Sequence, residues 1–237
     1  TFGSQQIITQ NAGGGARVVM AADLDGDGDN DSLAASVRRV IWHENLTLTP
    51  PFELVREHTQ TLGSEGYGHA ITLGDLNNDG RDDLLLLGGR GAKLYLNLGD
   101  GTFRDITDSA GIDWRREDSK QPGEMRQPLI ADLDNDGLQD IVITYVDDAH
   151  RVYRNRGELR FEDVTADSGL GGKGLIGGPA TVFDFDNDGL LDLYIQNFGD
   201  YLNGVLPTLA RRNFNAQPDR LFRNLGGFRF EDVTEQA

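Results

Sequence analysis

The chain has 237 residues, contains no cysteine and carries a formal net charge of −17, from 39 acidic and 22 basic residues. This acidic excess argues against binding to nucleic acid or to anionic membrane surfaces, because both need clustered Lys and Arg. The lack of cysteine excludes disulfides, thiolate metal sites and cysteine nucleophiles. No stretch approaches 18 apolar residues and the first residues lack a signal-peptide pattern, so we expect neither a membrane-spanning helix nor a leader in this sequence.

One nine-residue phrase occurs four times, with Asp at positions 1, 5 and 9, Asp or Asn at position 3 and Gly at position 6. We call the copies loops one to four; they span residues 23–31, 75–83, 132–140 and 184–192. A second phrase, Asn-x-Gly followed by Phe-x-Asp-Val/Ile-Thr, comes after each of the last three loops and starts at Asn97, Asn155 and Asn224. Two phrases in a fixed order, with loop starts 52, 57 and 52 residues apart, predict four copies of one structural unit.

The pattern within each unit is all-β. In the second unit, four short segments bounded by turn residues predict strands at 69–74, 83–87, 93–96 and 103–107. Four strands in roughly 50 residues is the size of a propeller blade. We therefore predict one all-β domain over residues 1–237, a β-propeller with blades at about 15–58, 68–108, 128–166 and 179–234 and an extra strand within 1–10. Segments 113–127 and 197–218 interrupt the period and are expected to be surface loops.

The spacing of oxygen donors in the loops is typical of a Ca²⁺ site. Side chains at positions 1, 3, 5 and 9 can converge on one point, Gly at position 6 permits the bend, and position 7 offers its backbone carbonyl. Six to eight hard oxygen ligands suit Ca²⁺, whereas Mg²⁺ prefers a strict octahedron. An EF-hand is excluded because position 12 is apolar in every copy, where that loop needs Glu.

We predict four structural Ca²⁺ ions, one in each loop, each holding the turn between the first and second strands of its blade. A single such phrase could be a solvated turn, but four copies at blade spacing favour metal binding. Loop two is expected to bind more weakly, because neutral Asn77 replaces an acid. The predicted metal residues are Asp23, Asp25, Asp27, Asp29, Asp31, Asp75, Asn77, Asp79, Arg81, Asp83, Asp132, Asp134, Asp136, Leu138, Asp140, Asp184, Asp186, Asp188, Leu190 and Asp192.

The loop phrase followed by an apolar strand resembles the signature of the FG-GAP/VCBS repeat family, the calcium-binding blades also seen in integrin α-chain propellers. The second phrase, together with segments 197–201 and 219–224, looks like the cartilage acidic protein group and its bacterial relatives. The resemblance covers nearly the whole chain. It implies a propeller fold, Ca²⁺ in the loops and an extracellular or cell-surface setting, or the periplasm in a bacterium, and it does not name a ligand.

The number of repeats leaves the closure of the propeller open. Propellers of this family commonly close with about seven blades, whereas four full repeats are present here. Segment 3–9 resembles the fourth strand of a blade and would be surplus in a ring of four. Three interpretations stand: an arc of a larger propeller, a complete smaller ring, or closure through another chain. An open arc would expose strand edges, which favour association.

Outside the loops, the sequence gives only weak signals for metal, phosphate-binding or catalytic sites. The histidines, His43, His58, His69 and His150, fall at unrelated repeat positions without metal-ligand spacing. The glycine-rich segment 169–178 lacks the order of a phosphate-binding loop and is interpreted as a connector between blades. The distinctive acids are assigned to the loops, and no catalytic pair stands out beyond them, so we expect no enzyme activity.

Three functional hypotheses follow. The leading one is a calcium-stabilised extracellular propeller that binds a protein or glycan, or mediates adhesion, through loops on one face. The second is a polysaccharide lyase or hydrolase on the same scaffold. The third is a structural surface or filament subunit that associates through its edges.

Overall fold

The computed structural model describes residues 18–236 except 26, 29, 36–38, 46–53, 62–66, 101, 113, 117–118, 201 and 203–216. The predicted extra strand within 1–10 and most of segment 197–218 therefore lie outside the described residues. Within the described part, no helix is both long enough and apolar enough to span a membrane.

The strands form four antiparallel sheets of four strands each, which confirms the predicted all-β architecture of four-stranded blades. Sheet one contains β1 (Val18–Ala22), β2 (Asp31–Ala35), β3 (Arg39–Asn45) and β4 (Leu54–Thr61). Sheet two contains β5 (Tyr67–Gly74), β6 (Asp83–Gly88), β7 (Gly91–Asn97) and β8 (Phe103–Asp105). Sheet three contains β9 (Glu124–Ala131), β10 (Asp140–Val146), β11 (Arg151–Asn155) and β12 (Phe161–Asp163). Sheet four contains β13 (Gly177–Phe183), β14 (Asp192–Asn197), β15 (Arg220–Asn224) and β16 (Phe230–Asp232).

Consecutive sheets pack face to face, and three hydrophobic clusters lie between them. Strands β6 and β10 are buried along their whole length, since each is covered on both faces, and they accordingly read as continuous apolar runs. The first strands contact one another in chain order, β1 with β5, β5 with β9 and β9 with β13. Among the described residues no contact of comparable extent joins sheet four back to sheet one.

The second phrase ends each of the last three blades with a turn that is hydrogen-bonded to the third strand. The strand predicted to run to Thr107 ends at Asp105, because Asp105 Oδ1 accepts hydrogen bonds from the N–H and the hydroxyl of Thr107, at 3.0 and 2.6 Å. Thr107 Oγ1 in turn accepts the N–H of Leu94 at 3.0 Å. The single-turn helices α1 (Thr107–Ala110) and α2 (Thr165–Ser168) follow these turns in sheets two and three.

The outer face of sheet four differs from the equivalent faces of sheets two and three. Phe183 pairs with position 9 of its loop as Ala131 does, yet its side chain is 41% exposed where Ala131 is buried. Two residues after position 9, Tyr194 is partly exposed, whereas Leu85 and Val142 are buried by the following sheet. Among the described residues, therefore, nothing covers this face as sheets three and four cover the faces before them.

Candidate metal centres

The four loops join the first and second strands of each sheet and share one hydrogen-bonded frame. Gly at position 6 has a φ between 86° and 93°, a region that glycine enters without steric cost. Its N–H donates to Oδ2 of the position-1 Asp in every loop, at 2.8–3.1 Å. In loops two to four the N–H of position 7 donates to the position-5 Asp at 2.9–3.0 Å, which places Arg81, Leu138 and Leu190 beside that carboxylate. Asp29, position 7 of loop one, lies outside the described residues.

The position-9 carboxylates close the loops. They are almost fully buried, at 0–1% exposure: Asp31, Asp83, Asp140 and Asp192. Oδ2 of each accepts the N–H of position 2 in the same loop, at 2.9–3.1 Å. In loops two to four, Oδ1 accepts the N–H of the Asn that opens the second phrase, at 2.7–2.9 Å. Position 9 thus fixes the backbone, a role that the spacing of the acids did not predict.

The Asn that opens the second phrase also links neighbouring loops. Asn97, Asn155 and Asn224 are buried, and each amide donates to the position-8 carbonyl of its own loop at 2.9–3.1 Å. The same amides donate to the position-2 carbonyl of the preceding loop, at 2.8–2.9 Å. The repeat pattern marks this Asn but predicts no role for it, because the partner carbonyl lies 73 to 91 residues earlier in the chain.

Carboxylates converge in three of the loops. In each, three acids offer oxygen atoms that all lie within 4.8 Å of one another: Asp23, Asp25 and Asp27; Asp132, Asp134 and Asp136; and Asp184, Asp186 and Asp192. Among the described residues loop two forms no such group of three acids, since Asn77 stands at position 3. Its amide instead donates to Asp79 at 2.9 Å.

Two of these carboxylate oxygens are buried without a hydrogen-bond donor. They are Oδ1 of Asp134 and Oδ1 of Asp186, both at position 3. A buried acceptor without a partner is costly, and more so when it carries charge. A cation with oxygen ligands would compensate both atoms, and the donor set of carboxylates around a backbone turn is the one that Ca²⁺ prefers. The residues present in loops three and four therefore fit a Ca²⁺ ion.

Arginines that sequence analysis did not identify lie against these acids. Arg154 Nη2 is 2.8 Å from Asp134 Oδ2 and 3.2 Å from Asp136 Oδ2. Arg223, at the equivalent place in sheet four, has Nη2 at 2.5 Å from Asp186 Oδ2. Sheet two has Leu96 at this place. The recurrence of Arg before the Asn of the second phrase was the available signal in the sequence.

Burial also changes the acidity of the loops. Desolvation raises the pKa of Asp83 and of Asp140 to about 6, although backbone N–H groups bonded to the two carboxylates oppose the shift. The pKa of Asp82 is raised mainly by desolvation, and further by the negative charges of Asp75 and Asp23. Because Asp23 belongs to loop one, the charge of loop one affects the acidity of loop two. Desolvation likewise raises the pKa of Asp134 against the opposing charge of Arg154.

Four antiparallel sheets, each with an Asp loop between its first two strands, define a repeat of the β-propeller blade type. The chain belongs to the FG-GAP-like repeat family, whose model matches residues 23–86, 75–117 and 132–195 and so covers more than half of the sequence. These matches begin at the first Asp of loops one, two and three.

Named relatives are similar over part of this chain. Cartilage acidic protein 1 of Homo sapiens is 33% identical over 163 residues, 66% of this chain, and that of Xenopus tropicalis is 34% identical over 145 residues, 57% of this chain. The chain spans about a fifth of the length of these relatives, 21% of each.

One solved structure of similar fold is a lectin from Agrocybe aegerita that specifically recognises non-reducing terminal N-acetylglucosamine. The TM-score is 0.52 at 20% sequence identity, over 91% of this chain and 51% of the lectin. At this identity the likeness concerns the fold alone.

Proposed function

We propose that this chain is a non-enzymatic β-propeller scaffold that binds Ca²⁺ in its Asp loops, one ion in each loop and about four in all. The buried Oδ1 atoms of Asp134 and Asp186, which lack a hydrogen-bond partner among the described residues, carry this proposal. The turn itself does not need them, because positions 1 and 9 already accept the backbone N–H groups of loops three and four. Carboxylates in excess of what a turn requires are explained by a cation that they hold.

The ion has a structural role in this proposal. Without a cation, neighbouring carboxylates repel one another and oppose closure of the loop. A bound ion would cancel that repulsion and fix the turn between the first two strands. Its ligands would be the side chains at positions 1, 3, 5 and 9 and the carbonyl at position 7, as the sequence predicts.

The metal content of the purified chain tests the proposal. After dialysis against Ca²⁺ and removal of excess ion, mass spectrometry should find about four Ca²⁺ per chain. The double variant Asp134→Ala/Asp186→Ala should retain about two. A matched variant, Glu231→Ala/Glu235→Ala, removes two exposed acids outside the loops and should retain all four. Absence of Ca²⁺ from the wild type, or equal contents in the two variants, would contradict the proposal.

We also propose that the protein is extracellular or on the cell surface, or periplasmic in a bacterium. Extracellular modules typically bind Ca²⁺ weakly and depend on the high Ca²⁺ concentration outside the cell. The partly exposed Asp loops of this chain are consistent with weak Ca²⁺ affinity. Fractionation of the source cells, with detection of this chain by antibody, checks the location; recovery in the cytosol alone would contradict it.

We further propose that a protein or glycan binds at the end of the sheets opposite the Asp loops. There Arg116, from the segment that precedes β9, forms an ion pair of 2.6 Å with Asp148 in the turn between β10 and β11. A cavity of about 580 Å³ opens beside it, lined by residues that include Gly88, Gly123, Glu124 and Arg126. Arrays of glycans and of extracellular proteins, probed with wild type and Arg126→Ala, test this site. Ligand capture that Arg126→Ala leaves unchanged would place the ligand elsewhere.

The outer face of sheet four favours a second function, association with another copy of the chain. Phe183 stands there at the position of buried Ala131 in sheet three, and Tyr194 at the position of buried Leu85 and Val142 in sheets two and three. Sedimentation velocity at rising concentration should show association of the wild type, weakened by Phe183→Ser/Tyr194→Ser. The control is Leu225→Ser, which removes a leucine of 49% exposure from a turn away from this face. A wild type that stays monomeric, or a control that dissociates equally, would reject this second function.

A further inference from the structure

Position 4 of the loops carries an asparagine that reaches the next loop. Asn78, Asn135 and Asn187 occupy this position in loops two, three and four, with left-handed φ values of 57°, 58° and 61°. The Asn78 amide donates to the carbonyl of Gly137 in loop three at 2.9 Å. The Asn135 amide donates to the carbonyl of Gly189 in loop four at 2.8 Å. The same bond therefore occurs twice between successive loops.

We propose that Asn78 and Asn135 couple neighbouring calcium loops, so that loops two, three and four bind Ca²⁺ cooperatively. This inference rests on the proposed function, namely that the loops bind Ca²⁺. Asn78 lies between the proposed ligands at positions 3 and 5 of its own loop, and its acceptor Gly137 directly precedes the proposed ligand at position 7 of loop three. An ion that orders either loop therefore orders one side of this hydrogen bond and favours the conformation that the other loop needs.

Loop one stands outside this coupling. It has Gly26 at position 4, which has no side-chain amide to donate. The buried amide of Asn97 does join loop one to loop two, but it contacts the carbonyls of Leu24 and Asp82, which are not proposed ligands. We therefore expect loop one to lack the coupling that the position-4 asparagines give to loops two, three and four.

The size of the coupling follows from the bond that transmits it. A hydrogen bond between neutral groups contributes a net amount that corresponds to about a two- to tenfold change in an equilibrium constant. Coupling between sites is reciprocal, so loop two should favour binding in loop three by the same factor as the reverse.

The test is a Ca²⁺ titration of the full chain followed by NMR, in which the amide resonances of Gly80, Gly137 and Gly189 report loops two, three and four separately. The test variants are Asn78→Gly and Asn135→Gly. Glycine keeps the left-handed backbone without strain and is the residue that loop one carries. Asn187→Gly is the matched control, because its amide makes no hydrogen bond among the described residues while its backbone conformation is the same.

In the wild type, disabling loop three with Asp134→Ala should weaken binding in loops two and four by about two- to tenfold. In the Asn78→Gly background the effect on loop two should disappear, and in the Asn135→Gly background the effect on loop four should disappear. Asn187→Gly should leave both effects intact. Loops that bind Ca²⁺ with midpoints unaffected by Asp134→Ala would overturn the coupling alone. Absence of Ca²⁺ binding in every loop would overturn the proposed function as well.

Discussion

Loop two and loop three have the same backbone and different charges. In both, the position-9 carboxylate accepts the N–H of position 2 and the N–H of a strand-end Asn. At position 3, however, Asn77 bonds to Asp79 within loop two, whereas Asp134 in loop three has a buried oxygen without a donor. The positive group also differs: Arg81 of loop two contacts Asp79 at 2.6 Å, and Arg154 reaches loop three from β11.

This comparison separates two roles among the acids. The position-9 carboxylate stabilises the loop backbone regardless of the residue at position 3, since its hydrogen bonds are the same in both loops. The acids at positions 1, 3 and 5 determine how strongly a cation is attracted. Substitutions at position 9 should therefore affect stability with or without Ca²⁺, and substitutions at position 3 should act mainly through the ion.

The largest effect is expected for Asp140→Asn. Asparagine offers one acceptor oxygen and turns its NH₂ group toward one of the two backbone donors that Asp140 now satisfies. Because a buried donor then loses its partner, we expect the free energy of unfolding, measured by urea denaturation, to fall by about 2–4 kcal/mol in chelator and by at least as much in Ca²⁺, where a proposed ligand is lost as well.

The control for that experiment is Asp134→Asn, which changes the same chemical group at position 3. In chelator it should cost less than about 1 kcal/mol, since only the contact with Arg154 is weakened and that guanidinium keeps its contact with Asp136. In Ca²⁺ its cost should be clearly larger. A position-3 variant as damaging as Asp140→Asn in chelator would remove the distinction between the two roles.

Acidification should destabilise sheet three at the end opposite its Asp loop, near the turn between β10 and β11. His150 is buried and its Nδ1 accepts the N–H of Tyr145 at 3.1 Å; burial lowers the pKa of His150 to about 4. Because this pKa lies below the unfolded value of about 6.5, the folded state binds fewer protons, and the contribution is complete above pH 6.5 and is lost as the pH falls toward 4. We expect a loss of about 2.5 kcal/mol between pH 7 and pH 4.5.

That loss should be the same in chelator and in the Asp134→Asn variant, because it does not involve the loops. His150→Asn can still accept the Tyr145 N–H and should lack this component of the pH dependence, as followed by urea denaturation at each pH. An unchanged pH profile in His150→Asn would assign the loss to other groups.

A smaller effect is expected from Asn77→Asp, which gives loop two the position-3 carboxylate of loop three. The added charge should raise the Ca²⁺ affinity of loop two by about tenfold, because affinity follows the number of charged ligands. The amide resonance of Gly80 measures this affinity, and that of Gly28 in loop one, which lacks the asparagine at position 4, serves as the control. An affinity that stays the same would show that position 3 of loop two does not contact the ion.

The smallest effect is expected from Arg154→Leu, which copies Leu96 of sheet two. Removal of a partly exposed positive charge next to Asp134 and Asp136 should raise the affinity of loop three about two- to fivefold. Calorimetric titration, with Arg156→Leu as a control that removes an arginine paired to Glu162 outside the loops, measures the difference. Equal affinities in the two variants would mean that Arg154 does not compete with the ion.

Repetition made the blades predictable, because position 9 in each copy begins the second strand and the second phrase follows at a regular place. The strand predicted at 83–87 is β6 (Asp83–Gly88). The strand predicted at 103–107 ends at Asp105, because the chain turns there and the Thr107 hydroxyl accepts the N–H of Leu94. The loop acids were identified from their spacing in the sequence. That their oxygen atoms bind an ion stays a prediction.

Contacts between blades could not be predicted in the same way. The amide of Asn155 meets the carbonyl of Leu76, and Asn78 meets Gly137, across 79 and 59 residues of sequence. Such pairs depend on how two sheets stack, and the repeat pattern describes each sheet separately. The exposure of Phe183 could not be predicted from the sequence either, since the residues at the equivalent position of sheets two and three, Gly74 and Ala131, differ from it in size.

A thermal melt of the wild-type chain in excess Ca²⁺ and in chelator tests the central claim most directly. At 100 times the dissociation constant, each ion should add about 2.7 kcal/mol to the free energy of unfolding. For a chain of this size 1 kcal/mol raises the midpoint by about 2–4 °C, so three or four ions should raise it by more than about 10 °C. Such a shift is what structural calcium loops predict; coincident melts in Ca²⁺ and chelator would contradict them and leave the loops as acidic turns.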